Sequence, residues 1–152
     1  MNAKTLIAGL LVSFVLSAGA QAAEPRLPNV MVYKNESCGC CKLWVQHLSR
    51  FGFAVQVQNI DNLNQVKKRV GVPVGMGSCH TAEVGGYFVE GHVPAEDIKR
   101  LLTERPDAKG LTVPGMPAGS PGMEVPSGKT QPYEVFLVAK DGSTSVFARH
   151  GR

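Results

Sequence analysis

Hydrophobic and polar residues follow strand and helix periods in turn along the first half of the chain. The short apolar run 30–33 is typical of a buried strand, and residues 42–51 place apolar side chains at helical spacing. A second strand is predicted at 53–57, and a second helix at 61–70 with Gly71 at its end. This β-α-β-α order predicts a parallel strand pair joined by a right-handed crossover.

The second half of the chain is less regular. Residues 84–90 are predicted to form a strand or hairpin, followed by a helix from Pro94 through Thr103. Six prolines and five glycines fall within residues 103–132, which predicts a long loop. Two strands, 133–139 and 144–148, flank an Asp-Gly turn and predict a terminal β-hairpin.

The N-terminus is typical of a secretory signal peptide, predicted at residues 1–22. Lys4 supplies the positive start, Leu6 to Leu16 the apolar run, and Ala20-Gln21-Ala22 the cleavage site. The apolar run has eleven residues, which is too short for a membrane-spanning helix. An uncleaved anchor is the alternative. We therefore expect one domain, residues 23–152, exported to the periplasm without stable membrane insertion.

Composition and charge narrow the class of protein. With 43% hydrophobic and 18% charged residues, the chain has the composition of a folded domain and not of a disordered tail. Loss of residues 1–22, which contain one lysine, lowers the net charge from +4 to +3. The longest basic run, Lys67-Lys68-Arg69, is typical of a solvated helix face. This charge pattern does not favour nucleic-acid binding.

The spacing of Cys38 and Cys41 is that of a C-x-x-C motif. It follows a predicted strand and opens a helix, whose N-terminus favours thiolates. This arrangement resembles the thioredoxin superfamily and implies an α/β fold, with a thioredoxin-like sheet flanked by helices. A cis-proline precedes a strand and faces the motif in such folds, and Pro132 is the matching candidate. Two departures are expected: no room for a closing helix after Arg152, and a long insertion, residues 71–131, before the final β-hairpin.

Cys40 argues against simple disulfide exchange, because a third thiol between the attacking and resolving sulfurs would invite scrambling. Three thiols within four residues are better explained as ligands of a soft metal such as Cu(I) or zinc. Cys79 and His80 add a further thiol and an imidazole. Zinc is the competitor, although C-x-C-C differs from the usual C-x₂-C spacing of zinc sites. The alternative is that Cys40 is only a small buried residue.

Methionines shift the balance from zinc towards copper. Met116 and Met123 lie in the Gly/Pro-rich loop, and Met76 lies three residues before Cys79. A thioether binds Cu(I) well and zinc poorly. The alternative is that the two loop methionines fill gaps on the domain surface. His92, just before a predicted helix, is either a further ligand or a capping residue.

Several separate motifs together resemble the CopG-type family, small exported bacterial proteins of copper and silver resistance that were once catalogued as a domain of unknown function. The resemblance extends over about residues 30–149, and its motifs are Cys38-Gly39-Cys40-Cys41, Ser78-Cys79-His80-Thr81, Gly86-Tyr87, Glu90-Gly91-His92-Val93-Pro94, Pro114-Gly115-Met116-Pro117 and Ser120-Pro121-Gly122-Met123. One local departure is the Met-bearing stretch 74–77, which leaves the role of Met76 open.

The CopG resemblance implies a thioredoxin-like fold with copper bound through the cysteines, as a thiolate-bridged multinuclear Cu(I) site. It also implies interconversion of Cu(I) and Cu(II). The ligands that it implies are Cys38, Cys40, Cys41 and Cys79, with His80 and His92 nearby.

The leading hypothesis is a periplasmic copper-binding protein that sequesters Cu(I) and changes its oxidation state, as a copper oxidoreductase. Its partners would be copper or silver ions and other periplasmic copper-handling proteins. One alternative is a metal-free thiol–disulfide oxidoreductase, with Cys38 as the attacking thiolate and Cys41 as the resolving thiol. The other is a structural zinc domain that serves as an interaction module.

Overall fold

A computed structural model describes residues 26–151 of the chain. The predicted signal peptide, residues 1–22, lies outside the described residues. The elements are, in chain order, β1 (Val30–Lys34), α1 (Gly39–Arg50), β2 (Val55–Asn59), α2 (Leu63–Val70), β3 (His80–Val84), β4 (Tyr87–Glu90), α3 (Ala95–Glu104), β5 (Ala108–Thr112), β6 (Tyr133–Ala139) and β7 (Thr144–His150). Within residues 26–151, no helix has the length and apolar character needed to cross a bilayer.

The strands of the described residues form one sheet in the order β2-β1-β3-β4-β5-β6-β7. β1 and β2 are parallel, as the predicted crossover through α1 requires, while β3 is antiparallel to β1 and β4 is antiparallel to β3. β5 runs parallel to β4, and β6 and β7 continue the sheet as an antiparallel hairpin. The predicted α/β fold with a thioredoxin-like sheet is confirmed.

The first two helices lie close to the predicted segments. α1 begins at Gly39 because Cys38 caps it: the Cys38 sulfur accepts a hydrogen bond from the Cys41 N–H at 3.3 Å. α2 is capped by the side chain of Asn62 and ends at Gly71, whose φ of 85° is the left-handed conformation that glycine favours. The hydrophobic periodicity thus predicts α1, the helix that contains Cys40 and Cys41 and begins directly after Cys38.

One prediction for the second half is confirmed and one needs correction. Of the two forms predicted at 84–90, the hairpin is present: β3 and β4 are joined by a turn at Gly85 and Gly86, and the first strand begins earlier, at His80. The loop predicted at 103–132 contains β5, which pairs with β4 on one side and β6 on the other. Gly110 contributes to this error, because a Cβ at this position would overlap the carbonyl oxygen of Phe88. This glycine, one of those counted towards a loop, lets β4 and β5 approach each other.

The thioredoxin-like unit is complete at α3. Its elements run β1-α1-β2-α2-β3-β4-α3, so α3 is the closing helix that the sequence analysis did not find after Arg152. The stretch 71–131 is therefore not an insertion into this unit, and that expectation is wrong. The long segment before the final hairpin is 105–132, which follows α3 and leads through β5 to the added strands.

The prediction that Pro132 is a cis-proline facing the C-x-x-C motif is also wrong. No peptide bond within residues 26–151 is cis. Pro132 precedes β6, and three strands separate β6 from β1, the strand that leads into the motif. The antiparallel neighbour of β1 is β3, and the residue directly before β3 is Cys79. Cys79, and not Pro132, therefore lies beside the C-x-x-C motif.

One hydrophobic core joins the sheet to α1 and α3. Trp44 and Leu48 from α1 and Ile98 from α3 are fully buried among strand residues such as Val32. The indole N–H of Trp44 donates to the carbonyl of Val93 at 2.9 Å, which satisfies the one polar atom of this buried ring. The helix that carries Cys40 and Cys41 and is capped by Cys38 is therefore fixed next to the segment that carries His92.

Candidate metal centre

The two cysteine-bearing segments meet because β1 and β3 are adjacent and antiparallel. Lys34 at the end of β1 pairs with His80 at the start of β3, so the chain just after β1 lies beside the chain just before β3. The sulfur atoms of four cysteines come within 4.8 Å of one another there: Cys38, Cys40, Cys41 and Cys79. Cys40 lies between the others, with its sulfur 3.6 Å from that of Cys38 and 3.7 Å from that of Cys79.

Cys38 and Cys41 form a disulfide, with their Cα atoms 5.4 Å apart. The first turn of α1 brings these residues together, since Cys38 is the cap and Cys41 lies three positions later. Cys40 and Cys79 are free thiols and are half-buried. The site therefore combines a disulfide with two thiols, and reduction of the disulfide would make four thiols available at one place.

His92 presents a defined nitrogen to the Cys79 sulfur. Its Nδ1 lies 2.8 Å from the carbonyl oxygen of Pro121, and a carbonyl can only accept, so Nδ1 carries the proton. Nε2 then has a free lone pair and lies 3.1 Å from the Cys79 sulfur. A backbone carbonyl that fixes the tautomer in this way is the usual support of a metal-binding histidine.

His80 lies on the buried side of the same sulfur. Its Nδ1 is 3.3 Å from the Cys79 sulfur, while its buried Nε2 has no hydrogen-bond partner among the described residues. The His80 ring lies 4.3 Å from that of Trp44 and meets the edge of His92 at 4.9 Å, measured between centroids. Cys79, His80 and His92 thus form a second group of donor atoms within 4.8 Å of one another.

Burial favours the uncharged forms of these groups. It lowers the pKa of His80 well below its ordinary value, with the charges of His92 and Lys67 adding to the effect. Burial also lowers the pKa of His92, against the opposing influence of Pro121 and Glu124. For Cys79, burial and the neighbouring Cys40 raise the pKa to about 12. Neutral imidazoles are ready to bind a metal ion, whereas the thiol must lose its proton to do so.

The loop that follows β5, residues 113–132, packs against the side of the cluster and is called the covering loop. Gly122 has a φ of +84°, and a Cβ at this position would lie 2.8 Å from both the carbonyl oxygen of Cys40 and the backbone nitrogen of Trp44. The loop backbone therefore lies directly on the first turn of α1, and the carbonyl of the preceding Pro121 reaches His92. The loop thus packs against both α1 and His92 beside the site, and only glycine fits where it contacts α1.

The predicted methionines are placed differently from the cysteines and histidines. Met116 is 53% exposed, and Met76 and Met123 are half-buried. The two groups of donor atoms described above form without any of them. The structure thus brings together the six predicted cysteine and histidine residues, whereas the three methionines stay additional candidates.

Sequence analysis missed two supporting groups. The first is the Pro121 carbonyl, which belongs to a motif quoted above but acts through its backbone. The second is Glu90, a fully buried carboxylate whose Oε1 accepts a hydrogen bond from the backbone N–H of Ser78 at 2.6 Å. A glutamate at the end of the otherwise apolar run Tyr87–Glu90 was the available signal for the second group.

Two solved structures are similar to this chain over nearly their whole length. The first, copper resistance protein CopG in form 1, is 45% identical, with 83% of this chain and 99% of that chain covered and a TM-score of 0.78. This chain belongs to the CopG family. The second, form 2 of the CopG protein, is 46% identical, with 82% and 98% covered and a TM-score of 0.78. The CopG resemblance seen in the sequence motifs is confirmed.

A family model described as a protein of unknown function, DUF411, matches residues 76–123. This range contains Cys79, His80 and His92 together with the first part of the covering loop, but it omits Cys38, Cys40 and Cys41. No curated protein sequence matches the chain. Membership of the CopG family therefore rests on the solved structures, which span both halves of the cluster.

Proposed function

We propose that this protein binds Cu(I) in the periplasm, as a part of copper and silver resistance. The observation that carries the proposal is the approach of four sulfurs to within 4.8 Å of one another, at Cys38, Cys40, Cys41 and Cys79. Thiolate sulfur prefers soft ions such as Cu(I), and bridging sulfurs let four cysteines hold more than one ion. The similar solved structures are named copper resistance proteins, which supports this choice of metal.

The two histidines are proposed as the place where Cu(II) is accommodated. Imidazole binds Cu(II) readily, and the Cys79 sulfur is shared by the four-sulfur group and the group with His80 and His92. An ion could thus change from nitrogen-rich to sulfur-rich ligands without leaving the site. Met116, exposed in the covering loop, is the methionine best placed to meet Cu(I) from solvent.

The Cys38–Cys41 pair can supply the electrons for such a change. When the reduced dithiol forms its S–S bond, it gives up two electrons and two protons, and two Cu(II) ions become two Cu(I) ions. Solvent takes the protons. A periplasmic dithiol reductant would return the pair to its reduced state. We propose this copper oxidoreductase activity as the second part of the function.

A specific observation supports one competing function. The Cys38–Cys41 disulfide at the start of α1 is what a metal-free thiol–disulfide oxidoreductase would use, with Cys38 as the attacking sulfur. In that case Cys40 and Cys79 would play no part in the reaction. The two functions therefore differ in whether Cys79 matters.

The deciding experiment uses residues 23–152, reduced under anaerobic conditions and offered Cu(I), Ag(I) or Zn(II) separately. We expect Cu(I) and Ag(I) to bind in preference to Zn(II) and to block thiol alkylation, and Cys79→Ser to weaken copper binding sharply. Added Cu(II) should yield two Cu(I) for each disulfide formed. Insulin reduction by a copper-free protein, unchanged in Cys79→Ser, would favour the competing function. One zinc ion that leaves only on unfolding would favour the structural zinc module.

Export is proposed from the sequence of residues 1–22. Fractionation of an expressing bacterium should recover the protein from the periplasm with Ala23 as its first residue. A full-length protein that stays with the membrane would support the uncleaved anchor instead. In the periplasm, the single domain would exchange copper or silver ions with other copper-handling proteins.

A further inference from the structure

Glu90 carries a carboxylate into the interior of the protein, where its side chain is 0% exposed. Its Oε1 accepts hydrogen bonds from the backbone N–H of Ser78 at 2.6 Å and from the ammonium group of Lys67. Its Oε2 accepts from the hydroxyl of Thr81 at 2.6 Å, and Lys67 also donates to that hydroxyl at 3.0 Å. A buried carboxylate is costly unless donors surround it in this way. Glu90 therefore ties β4 to α2, to β3 and to the segment that precedes β3.

The Ser78 N–H lies one residue before Cys79, so this hydrogen bond acts on the backbone that carries the fourth cysteine. The segment has further attachments. The Gly77 carbonyl accepts from the Gly115 N–H at 3.1 Å, and the Ser78 hydroxyl donates to the Gly115 carbonyl. The Met76 carbonyl accepts from the buried Thr112 hydroxyl at 2.6 Å. Gly115 belongs to the exposed part of the covering loop. Among these groups, the Glu90 carboxylate is the buried one that bonds the residue directly before Cys79.

We propose that Glu90 is a positioning residue, whose carboxylate fixes Ser78 and thereby holds the Cys79 sulfur against Cys40 and His92. Cys79 is the cysteine that does not belong to α1 or its cap, so no helix sets its position. Its sulfur lies 3.7 Å from the Cys40 sulfur and 3.1 Å from the His92 Nε2. These two neighbours lie on different segments, so a small displacement of Cys79 would disrupt both contacts.

A second ion pair, which also joins α2 to the sheet, supplies a control. Arg69 of α2 bonds Glu83 of β3 at 2.8 Å, so it joins the same helix to the same sheet as Lys67 and Glu90 do. The Arg69–Glu83 pair is exposed, at 51% and 37%, and within residues 26–151 it makes no hydrogen bond or ion pair with residues 76–79. If Glu90 only fastened α2 to the sheet, substitution of Glu83 would have similar consequences at Cys79.

The first test needs no copper and uses the mature protein with the Cys38–Cys41 disulfide intact. Alkylation of the two free thiols by iodoacetamide is followed by mass spectrometry. We expect Glu90→Ala to speed alkylation of Cys79 about tenfold relative to Cys40, a factor typical of losing one buried hydrogen bond. Glu83→Ala should leave both rates unchanged. Equal acceleration at Cys40 and Cys79 would indicate general loosening and would overturn the proposal.

The second test deepens the proposed copper-binding function and rests on it. Affinity is measured by competition with a Cu(I) chelator on the reduced protein. Glu90→Ala should weaken binding about tenfold, whereas in a Cys79→Ser background it should have no further effect, because the two changes act through one sulfur. An equal effect in both backgrounds would show that Glu90 does not act through Cys79.

A conservative variant covers the case in which Glu90→Ala does not fold. Glu90→Gln combined with Lys67→Met removes both charges but keeps an amide oxygen that can accept from Ser78. We expect this variant to retain slow Cys79 alkylation, and rapid alkylation in the folded variant would overturn the proposal. If the wild-type protein bound no copper while Cys79 alkylation still depended on Glu90, the proposed function would fail and the positioning role would stand.

Discussion

The His92 Nε2 lies 3.1 Å from the Cys79 sulfur, although the two residues are thirteen positions apart in the chain. Cys79 directly precedes β3, and His92 follows β4. The β3-β4 hairpin makes this contact possible, because β3 and β4 pair directly and bring the residue before one strand close to the residues after the other. The Pro121 carbonyl holds the histidine in the tautomer whose lone pair faces the sulfur. The contact therefore depends on the β3-β4 hairpin, which brings the two residues together, and on the covering loop, whose Pro121 carbonyl sets the tautomer of His92.

Replacement of His92 should separate the two proposed copper states. We expect His92→Ala to lower Cu(II) affinity by roughly 10–100-fold, because the proposed Cu(II) site loses one imidazole ligand. The number of Cu(I) ions per chain should stay the same, since the four sulfurs are intact. Anaerobic isothermal titration measures the Cu(II) affinity on the protein with its Cys38–Cys41 disulfide intact and the number of Cu(I) ions on the reduced protein.

His150→Ala is the matched control for His92→Ala. His150 bonds the carboxylate of Asp97 at 2.6 Å and belongs to neither group of donor atoms. His150→Ala should leave the Cu(II) affinity and the number of bound Cu(I) ions unchanged. Loss of Cu(I) ions in His92→Ala would show that His92 belongs to the Cu(I) site, and unchanged Cu(II) affinity would remove it from the Cu(II) site.

Two glycines in the covering loop should differ sharply when replaced by alanine. Gly122 and Gly128 both have positive φ, at +84° and +67°, so each substitution carries a conformational cost of about 1–2 kcal/mol. Only at Gly122 would the new Cβ meet the backbone of Cys40 and Trp44, which adds an overpacking cost of about 1–3 kcal/mol. Urea unfolding should show Gly122→Ala as clearly the less stable variant.

The reactivity of Cys40 gives a second test of the contact between the covering loop and α1. If Gly122→Ala displaces the loop from α1, alkylation of Cys40 should accelerate, whereas Gly128→Ala should leave it unchanged. Equal stability of the two variants together with unchanged Cys40 reactivity would mean that the loop does not rest on the first turn of α1.

The Arg69–Glu83 pair should contribute to stability in a pH-dependent way. The hydrogen bond from Arg69 lowers the pKa of Glu83 below its ordinary value of 4.5. A lowered carboxyl pKa stabilises the folded state above pH 4.5, and this contribution disappears as the pH falls through the folded-state pKa. Because the pair is exposed, Glu83→Gln should lower the free energy of unfolding by no more than about 1 kcal/mol at pH 7.

Urea unfolding of the wild-type protein and Glu83→Gln at a series of pH values checks this sign. The difference between them should shrink towards zero as the pH falls well below 4.5. A difference that grows on acidification would contradict the assignment of the pKa shift to Arg69.

Local patterns in the sequence predict the parts of the fold that have regular hydrophobic periods. The elements β1 to α2 follow from alternation and helical spacing, and the terminal hairpin follows from its Asp-Gly turn. β5 does not, because Gly110 serves a contact with Phe88 that lies twenty-two residues earlier in the chain. The position of Pro132 likewise depends on strand order, which sequence spacing does not specify.

The candidate site also has parts that the sequence predicts and parts that it does not. Three clustered thiols and a Cys-His pair indicate soft-metal chemistry from residue types alone. The supporting groups depend on tertiary structure: the Pro121 carbonyl has no side-chain signal, and Glu90 binds a backbone N–H that any residue at position 78 other than proline would offer. Residue types thus indicate the ligands, whereas the groups that orient them emerge only when the segments are brought together.

Trp44, the single tryptophan of the chain, should report on an ion bound at the histidines. Its ring lies 4.3 Å from the His80 ring, and its indole N–H is held by the Val93 carbonyl. Cu(II) has an unpaired electron and quenches nearby indole fluorescence, whereas closed-shell Zn(II) does not. Addition of Cu(II) to the protein with its Cys38–Cys41 disulfide intact should therefore quench the emission strongly and saturably.

Variants make the fluorescence experiment decisive. His92→Ala should move the quenching to higher Cu(II) concentration, because one ligand of the proposed site is lost, and His150→Ala should give the wild-type curve. In the reduced protein the quenching should be transient, since the Cys38–Cys41 dithiol would convert Cu(II) to closed-shell Cu(I). Quenching that increases linearly without saturation, as it would for free tryptophan, would place Cu(II) elsewhere than beside His80.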